Sequence, residues 1–484
     1  MLALLVIATC AAAESDLNVV LILADDCTKA DLGCYGGQAA TPHLTALAAE
    51  GMQFDRCYQA APMCSPTRHC LYTGVYPVKS GAYPNHTFVS NEEIGSIALD
   101  LRAHGYRTAL SGKRHIGPAE VFPFEYSAKD NNPDMEAIDT LLVDCDVHDT
   151  PFLLIACSNE PHSPWTKGDA NAYDAETLTL PPTWVDTPTT RADYRAYLAE
   201  ITYFDSQVGE ILALLEKHNH ADQTLVIALS EQGSSFPFAK WTCYHAGLGS
   251  GMIVRWPGRV AAGDRTQAMV EYVDIVPTVL DAAGLKTDRT LDGRSFLPVL
   301  LGSTDEHKQS VFGIQTTRGI INGSEHYGIR SVQTGSVRLI HNLTPEIRFR
   351  NAIMPNRNPA TQPKRKWMWE EWVDAATTDP RAAATVRRYQ VRPEWELYDL
   401  ADDPHELRNR IDDPEYAERI GTMKQTLADW MRDQGDLGQP TELEAPSHMR
   451  GGSKSGKRAG RTKKASRLES EGSSKQNAKR QNAD

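Results

Sequence analysis

The sequence predicts an α/β protein: a mixed, mostly parallel sheet sandwiched by helices, with a smaller C-terminal α+β subdomain. Three observations carry that prediction. Unbroken apolar runs at Asn18 to Leu23, Phe152 to Ala156 and Thr224 to Leu229 have the pattern of strands buried on both faces of a parallel sheet. Ala196 to Lys217 sets Leu198, Ile201, Val208, Ile211, Leu212 and Leu215 on one helical face, a stripe that belongs to the core. Each apolar run also ends in polar residues, and strand carboxyl ends are where open α/β sheets place their ligands.

With 484 residues and 41% hydrophobic content the chain can build one large domain or two unequal ones. Met1 to Ala13 is an apolar run too short to span a bilayer and ends in small residues, which reads as a secretory signal without the usual basic start. Cys10 could mark a lipoprotein site, but Thr9 before it fits poorly. The expectation is a secreted or periplasmic protein with no transmembrane segment after signal cleavage. Of nine cysteines, eight remain without Cys10 and seven if Cys64 is chemically modified. An odd number in so long a chain argues against a disulfide framework, with one or two bridges left open. Residues 447–484 hold 11 Lys or Arg against 3 Asp or Glu, so this segment carries +8 and the rest -21 of the formal net charge of -13. Rich in Gly, Ser, Lys and Arg, it reads as a disordered basic tail, solvated and with no specific partner, nucleic acid included, although such a tail could touch nucleic acid or an anionic glycan.

In chain order, the first strand delivers Asp25 and Asp26 to its end. Two adjacent carboxylates there repel unless a cation lies between them, although an Asp pair in a turn has the same pattern. Thr41 is the expected N-cap of a helix with Pro42 at its first position, Leu44, Leu47 and Ala48 inward and Gly51 at its end. Next comes Met63-Cys64-Ser65-Pro66-Thr67-Arg68-His69-Cys70-Leu71-Tyr72-Thr73-Gly74. Its Cys-x-Pro-x-Arg core places a fixed cation two residues past a proline turn, with a helix starting at or just after Cys64, and a plain cysteine before a helix remains the alternative. Gly105 to Leu110 reads as a strand running into Lys113, Arg114 and His115, where a polyanion could bind. The run Phe152 to Ala156 leads to His162, held between Pro161 and Pro164 and suited either to acid–base work or to capping a turn. Thr224 to Leu229 ends in Glu231 and Gln232, with Lys240 beyond. Three carboxylates and an amide oxygen from two strand ends suit a hard cation, Ca²⁺ better than Zn²⁺. After about residue 305 the alternation fades, leaving a strand and turn at Trp395 to Glu406 and a helix from Ala417 to Met431. Lys366 to Trp372 could rim a sugar pocket or simply pack.

With these motifs in order, Asp-Asp, Cys-x-Pro-x-Arg, Gly-Lys-x-His, Pro-His, acidic-amide-Gly and Lys, the chain resembles the type I, formylglycine-dependent sulfatases of the alkaline phosphatase superfamily over roughly residues 17 to 440. The resemblance implies an alkaline phosphatase-like fold, Ca²⁺ held by Asp25, Asp26, Glu231 and Gln232, and Cys64 oxidised to Cα-formylglycine by a formylglycine-generating or equivalent maturase. It implies that Arg68 and Lys113 hold the nucleophile and sulfate oxygens, that His115 accepts the proton driving sulfate release, and that His162 and Lys240 bind sulfate and assist the leaving group. Glu231-Gln232 departs from the family's usual Asp-Asn by one methylene on each side chain, and Thr67 replaces the commoner Ser. Gly112 to Phe124 and Phe236-Pro237-Phe238 are most similar to the heparan N-sulfatases (sulfamidases), which implies a sulfated saccharide substrate, N-sulfoglucosamine first. An O-sulfatase, a phosphatase or phosphodiesterase of the same superfamily, and a non-catalytic binder of sulfated glycans are the alternatives. The expected organisation is a signal at 1–13, a catalytic domain at 14–305, a smaller subdomain at 306–446 and the tail at 447–484.

Overall fold

A computed structural model describes residues 17–87, 91, 93–354 and 367–449. The signal reading at Met1 to Ala13 and all of the basic tail beyond Met449 lie outside the described residues.

Among the described residues thirteen strands form two sheets. They are β1 (Asn18–Leu23), β2 (Met52–Tyr58), β3 (Arg107–Gly112), β4 (Glu125–Tyr126), β5 (Phe152–Cys157), β6 (Thr224–Leu229), β7 (Gly249–Arg255), β8 (Asp264–Thr266), β9 (Val270–Glu271), β10 (Ser310–Thr316), β11 (Gly328–Thr334), β12 (Val337–Asn342) and β13 (Trp395–Asp399). The larger sheet runs β4-β3-β5-β1-β6-β7-β2-β8, with β9 also on β2. Its centre is parallel: Leu21 on β1 stands opposite Ile155 on one side and Ile227 on the other. β7 enters antiparallel to both β6 and β2, which makes the sheet mixed.

Alternation along β1 accounts for the layering. Val20 and Ile22 point to a face covered by Leu44 and Leu47, by Ile138, Leu141 and Leu142, and by Leu198, Ile201, Val208, Ile211 and Leu215. Val19, Leu21 and Leu23 point to the other, covered by Leu71, Tyr72, Ile97, Leu101, Val276 and Val279. A strand buried on both faces needs apolar residues at every position, so its sequence reads as an unbroken run.

Two helices differ from expectation. The long helix spans Pro188–Lys217, beginning eight residues before Ala196, with Thr187 as a true N-cap accepting from Thr190 N. Its first turns, Thr-Thr-Arg-Ala-Asp, carry too little apolar periodicity to be seen as core-facing. The helix Pro42–Glu50 starts where Thr41 and Pro42 place it, but Thr41 does not cap it. Thr41 Oγ1 accepts from Gly33 N at 3.1 Å, while the first turn is closed by Asp205 of the long helix, which accepts from His43 N at 3.0 Å and Leu44 N at 2.8 Å. A carboxylate from a neighbouring element also offers charge to the positive helix end, which a threonine cannot.

The second sheet, β10-β11-β12-β13, is antiparallel throughout. Ile314, Val332, Val337, Leu339 and Leu397 pack against Ile420, Met423, Leu427 and Trp430 of the helix Ala417–Gln434, and this cluster continues into Ala60, Ala61, Cys70, Tyr76 and Tyr83. The smaller sheet therefore braces the segment flanking Cys64. Trp369 and Trp372 are buried, and Trp372 Nε1 donates to Thr190 Oγ1 at 2.8 Å, so packing rather than a pocket rim accounts for them. All eight described cysteines are free. No helix among the described residues is long and apolar enough to cross a membrane.

Asp31 gives a test of this core. Its buried carboxyl accepts from Tyr194 Oη at 2.7 Å, and burial pushes it up to about 6 against the tyrosine hydrogen bonds. A carboxyl raised on folding holds its proton longer in the native state, so its contribution is full below the unfolded value and lost as pH rises through about 6. Relative to an Asp31→Asn variant, the parent should lose stability on the order of 3 kcal/mol across that window. Urea unfolding of both proteins across that pH range checks this, and a difference that grows in the opposite direction would refute it.

Candidate active site

The carboxyl ends of β1, β3, β5 and β6 converge on one buried cluster. β1 places Asp25 and Asp26, both without exposure. β6 places Glu231 and Gln232, equally buried. Asp26 and Glu231 both adopt φ of 64°, a left-handed conformation uncommon for these residues and found preferentially where function over-determines the backbone. β3 ends on Gly112 at φ 92°, where a Cβ would lie 2.0 Å from Cys157 O, so only glycine lets the chain turn here to present Lys113.

Cys64 is the first residue of the helix Cys64–Thr73, every residue of which is buried. Its Sγ lies 3.3 Å from Lys240 Nζ, 3.4 Å from Gln232 Nε2 and 3.7 Å from Asp26 Oδ1. Burial and Asp25 act to raise the thiol's pKa, but Lys240 and Lys113 outweigh them and bring it below its usual value. One turn on, the fully buried Arg68 sets Nη2 2.7 Å from Glu231 Oε1 and 3.6 Å from Asp25 Oδ1. Lys113 Nζ pairs with Asp25 Oδ2, and Lys240 Nζ lies 2.6 Å from Asp26 Oδ2. Three buried acids thus face the buried Arg68 and Lys240 and the half-buried Lys113. Burial nevertheless pushes Glu231 well up, with Arg68 opposing and Asp25 adding, whereas Asp25 is held down against its burial by Lys113 and His162. Two carboxyl groups this close cannot both ionise freely, and a divalent cation between them is the usual resolution.

The donors fit such a cation. One ligand atom from each of Asp25, Asp26, Cys64 and Glu231 lies within 4.8 Å of the others. Gln232 Oε1 is a buried oxygen without a hydrogen bond, and Asp25 Oδ1 and Glu231 Oε1 face only the Arg68 guanidinium, so cation ligation would satisfy oxygens that the protein leaves open. An oxygen set of this kind matches a hard ion.

The histidines are tuned apart. His162 reaches Asp26 Oδ2 at 3.7 Å, and although burial acts to lower it, Asp26 raises it to about 9. Its loop is clamped from outside: Glu200 accepts from Thr166 N and Lys167 N, and Asn132 Nδ2 donates to Glu160 Oε1 at 2.9 Å. His115 is held down at about 3, first by burial, then by Lys113 and Arg68. One is cationic and the other neutral at neutral pH, the division an acid and a base require.

The structure brings all ten sequence-derived site residues into this region. Sequence reasoning missed three contributors. Ser235 Oγ donates to Asp26 Oδ2 at 2.8 Å. His69 lies between Ser65 O at 2.7 Å and Gly117 O at 3.1 Å, tying the Cys64 helix to the loop of His115. His86 Nδ1 sits 2.9 Å from His115 Nε2. A short Gly-Ser-Ser after Gln232 was the only available signal for Ser235, and an isolated histidine in a loop offers none.

A buried cysteine at a helix start, ringed by cations beside a cluster of acidic oxygens at the ends of parallel strands, is suited to binding a tetrahedral oxyanion. Residues 17–285 match the family described as Sulfatase, and residues 233–347 match that described as N-sulphoglucosamine sulphohydrolase, C-terminal. A human N-sulphoglucosamine sulphohydrolase is 30% identical over 88% of this chain and 92% of its own length. An ulvan-active sulfatase of Formosa agariphila is 28% identical over 87% of this chain and 81% of its own. A protein solved in complex with its substrate D-glucosamine-2-N,6-O-disulfate shares the fold, with a TM-score of 0.64 at 19% identity across 87% of this chain and 99% of that one. The chain belongs to the sulfatase family and is a sulfuric ester hydrolase.

Proposed function

We propose that the protein removes sulfate from a sulfated saccharide, with N-sulfoglucosamine at the non-reducing end of heparan-type chains as its first substrate. The observation that carries the reading is the placement of Cys64 at the start of a buried helix, within 3.3 Å of Lys240 and beside the acidic cluster. Oxidised by a maturase to formylglycine and hydrated, position 64 would supply one hydroxyl to attack sulfur and a second through which sulfate is expelled. Asp25, Asp26, Glu231 and Gln232 would hold Ca²⁺, which screens the negative charge of substrate and nucleophile.

The remaining roles rest on charge and position. Arg68, Lys113 and Lys240 are fixed cations around the place where sulfate oxygens gain charge, and low-dielectric surroundings strengthen them. His162, protonated at neutral pH, donates to the leaving nitrogen or oxygen as its bond to sulfur breaks. His115, neutral at neutral pH, accepts the proton whose loss drives sulfate release. The similarity of residues 233–347 to N-sulphoglucosamine sulphohydrolases supports the N-sulfated sugar. Residues 14–305 would form the catalytic unit and 306–446 its brace, in a secreted or periplasmic protein.

Glucosamine sulfated only on nitrogen and glucosamine sulfated only on oxygen 6 separate the choices. Sulfate release should be faster from the first by at least about tenfold, the discrimination expected when a pocket is built around one polar group. Release from the O-sulfated sugar alone would exclude the sulfamidase reading and leave the sulfatase intact.

A further inference from the structure

Two loops bring a second histidine to His115. The rings of His86 and His115 lie 4.8 Å apart between centroids, and His86 Nδ1 stands 2.9 Å from His115 Nε2. Both loops are tied down. Asn85 N donates to Arg318 O at 3.3 Å on one side of His86, and Thr87 Oγ1 donates to His448 O at 2.6 Å on the other. Beside His115, Arg114 Nη2 donates to Ser127 O at 2.7 Å, and Gly117 O meets His69 Nε2 at 3.1 Å. His86 is exposed, whereas His115 is half-buried and its Nδ1 is a buried atom with no hydrogen-bond partner.

Two neutral imidazoles share one N–H, so one ring must offer a bare nitrogen to the other. Asn85 selects which. Its amide stands 3.4 Å from His86 Nε2, and its Oδ1 is buried without a hydrogen bond. Turned end for end, the amide sets Oδ1 to accept the Nε2–H of His86, which leaves His86 Nδ1 bare to accept from His115 Nε2. The lone pair of His115 then lies on Nδ1, the nitrogen that the protein leaves without a partner. Burial, then Lys113 and Arg68, hold His115 down at about 3, so an imidazolium formed there is poorly tolerated. An acceptor on its Nε2–H offsets this, because a hydrogen bond from a charged donor is stronger than one from a neutral ring.

We propose that His86 is the positioning residue of His115: through Nδ1 it accepts the Nε2–H of that ring, keeps His115 Nδ1 as the basic nitrogen, and steadies the imidazolium formed when His115 takes the proton that drives sulfate release. This role deepens the reading of His115 as the base and rests on it. One proton moves: an O–H bond at position 64 breaks, an N–H bond forms at His115 Nδ1, and the His86 ring gains and loses none. The arrangement follows the logic of a base oriented by a third group, with an imidazole standing where a carboxylate serves elsewhere.

Gly, Asn and Asp all accommodate the left-handed φ of 56° at position 86, so these three variants test the role in the full protein. The substrate is whichever of aryl sulfate, N-sulfated glucosamine and 6-O-sulfated glucosamine the parent turns over fastest. His86→Gly removes the acceptor and should lower kcat by about tenfold or more, part of what a positioned base contributes, with KM within about twofold of the parent. Its thermal unfolding should match the parent's, since the side chain removed is exposed. His86→Asn and His86→Asp set an oxygen near the place of Nδ1, and each should return kcat to within about threefold of the parent. Asp can only accept, so its recovery fixes the direction of the bond. Parent-like kcat in His86→Gly overturns the proposal, as does a His86→Asp variant no faster than His86→Gly. His115→Ala separates this role from the base reading beneath it, and should lose kcat by about a hundredfold or more. If His115→Ala keeps the parent's kcat, the base reading falls and the role of His86 with it; if it loses kcat while His86→Gly does not, the role of His86 falls alone.

Discussion

A Cys64→Ala variant is expected to fold normally and to release sulfate at least about 10⁴-fold more slowly than the parent, the scale of loss seen when a covalent nucleophile is removed. Cys64 is 2% exposed and its sulfur lies near the polar groups of Lys240, Gln232 and Asp26. Alanine at the first position of a helix is well tolerated, and the lost sulfur costs about 1 kcal/mol of packing. Thermal unfolding followed by circular dichroism should therefore move little while aryl sulfate turnover disappears. The companion measurement is the mass of the tryptic peptide Cys57 to Arg68, bounded by Arg56 and Arg68. In active parent it should have exchanged one sulfur and two hydrogens for one oxygen. Active protein with only the thiol, or a variant retaining turnover, would remove position 64 from the mechanism. The same preparation separates the competing chemistry: phosphate ester turnover that survives Cys64→Ala and exceeds sulfate turnover would indicate a phosphatase.

The parts of the fold that are readable in the sequence are those whose burial is complete and whose pattern is local. β1, β5 and β6 are covered on both faces, so their runs are apolar without interruption, and the expected spans differ from the observed ones by one residue at most. β3, expected at Gly105 to Leu110, runs Arg107–Gly112, because Gly105 at φ 83° and Tyr106 belong to the preceding turn. β2, Met-Gln-Phe-Asp-Arg-Cys-Tyr, mixes polar and apolar residues because only part of it is enclosed, and Gly-Ser-Gly opens β7, so neither resembles a strand by composition. The second sheet is hidden for a different reason. Arg330, Gln333 and Arg338 sit buried in its strands, satisfied by Asp436, Tyr58 and Cys243 O, all distant in sequence. A strand that buries charge against remote partners cannot be recognised from its own residues.

The site divides in the same way. Asp25, Asp26, Glu231 and Gln232 stand immediately after the readable strands, so strand prediction locates them. Cys64 and Arg68 are carried by a motif. His86 belongs to neither group: it stands 2.9 Å from His115, in a stretch where Thr87 meets Met449, some 360 residues away, and His115 itself has φ 49°. The opposite shifts of His115 and His162, on which their proposed roles as base and acid rest, likewise depend on which charges fold around each, and the sequence shows each only as a histidine in a loop.

Removal of divalent cation is expected to abolish turnover and to lower the melting temperature together, and re-addition of Ca²⁺ should restore both. The argument starts from Asp25 and Glu231, which share one fully buried space, with Glu231 pushed up toward its protonated form. A cation held by Asp25, Asp26, Glu231 and Gln232 binds the native state alone, since the ligands come from β1 and β6, some 200 residues apart. At free Ca²⁺ of 100 to 1,000 times its dissociation constant, mass action stabilises the fold by about 3–4 kcal/mol. Mg²⁺ should restore less than Ca²⁺, since the longer Glu231 and Gln232 side chains form a looser oxygen set than a compact octahedral ion demands. Elemental analysis that finds fully active protein without a divalent ion would overturn the assignment, as would chelation that stops turnover with no change in melting.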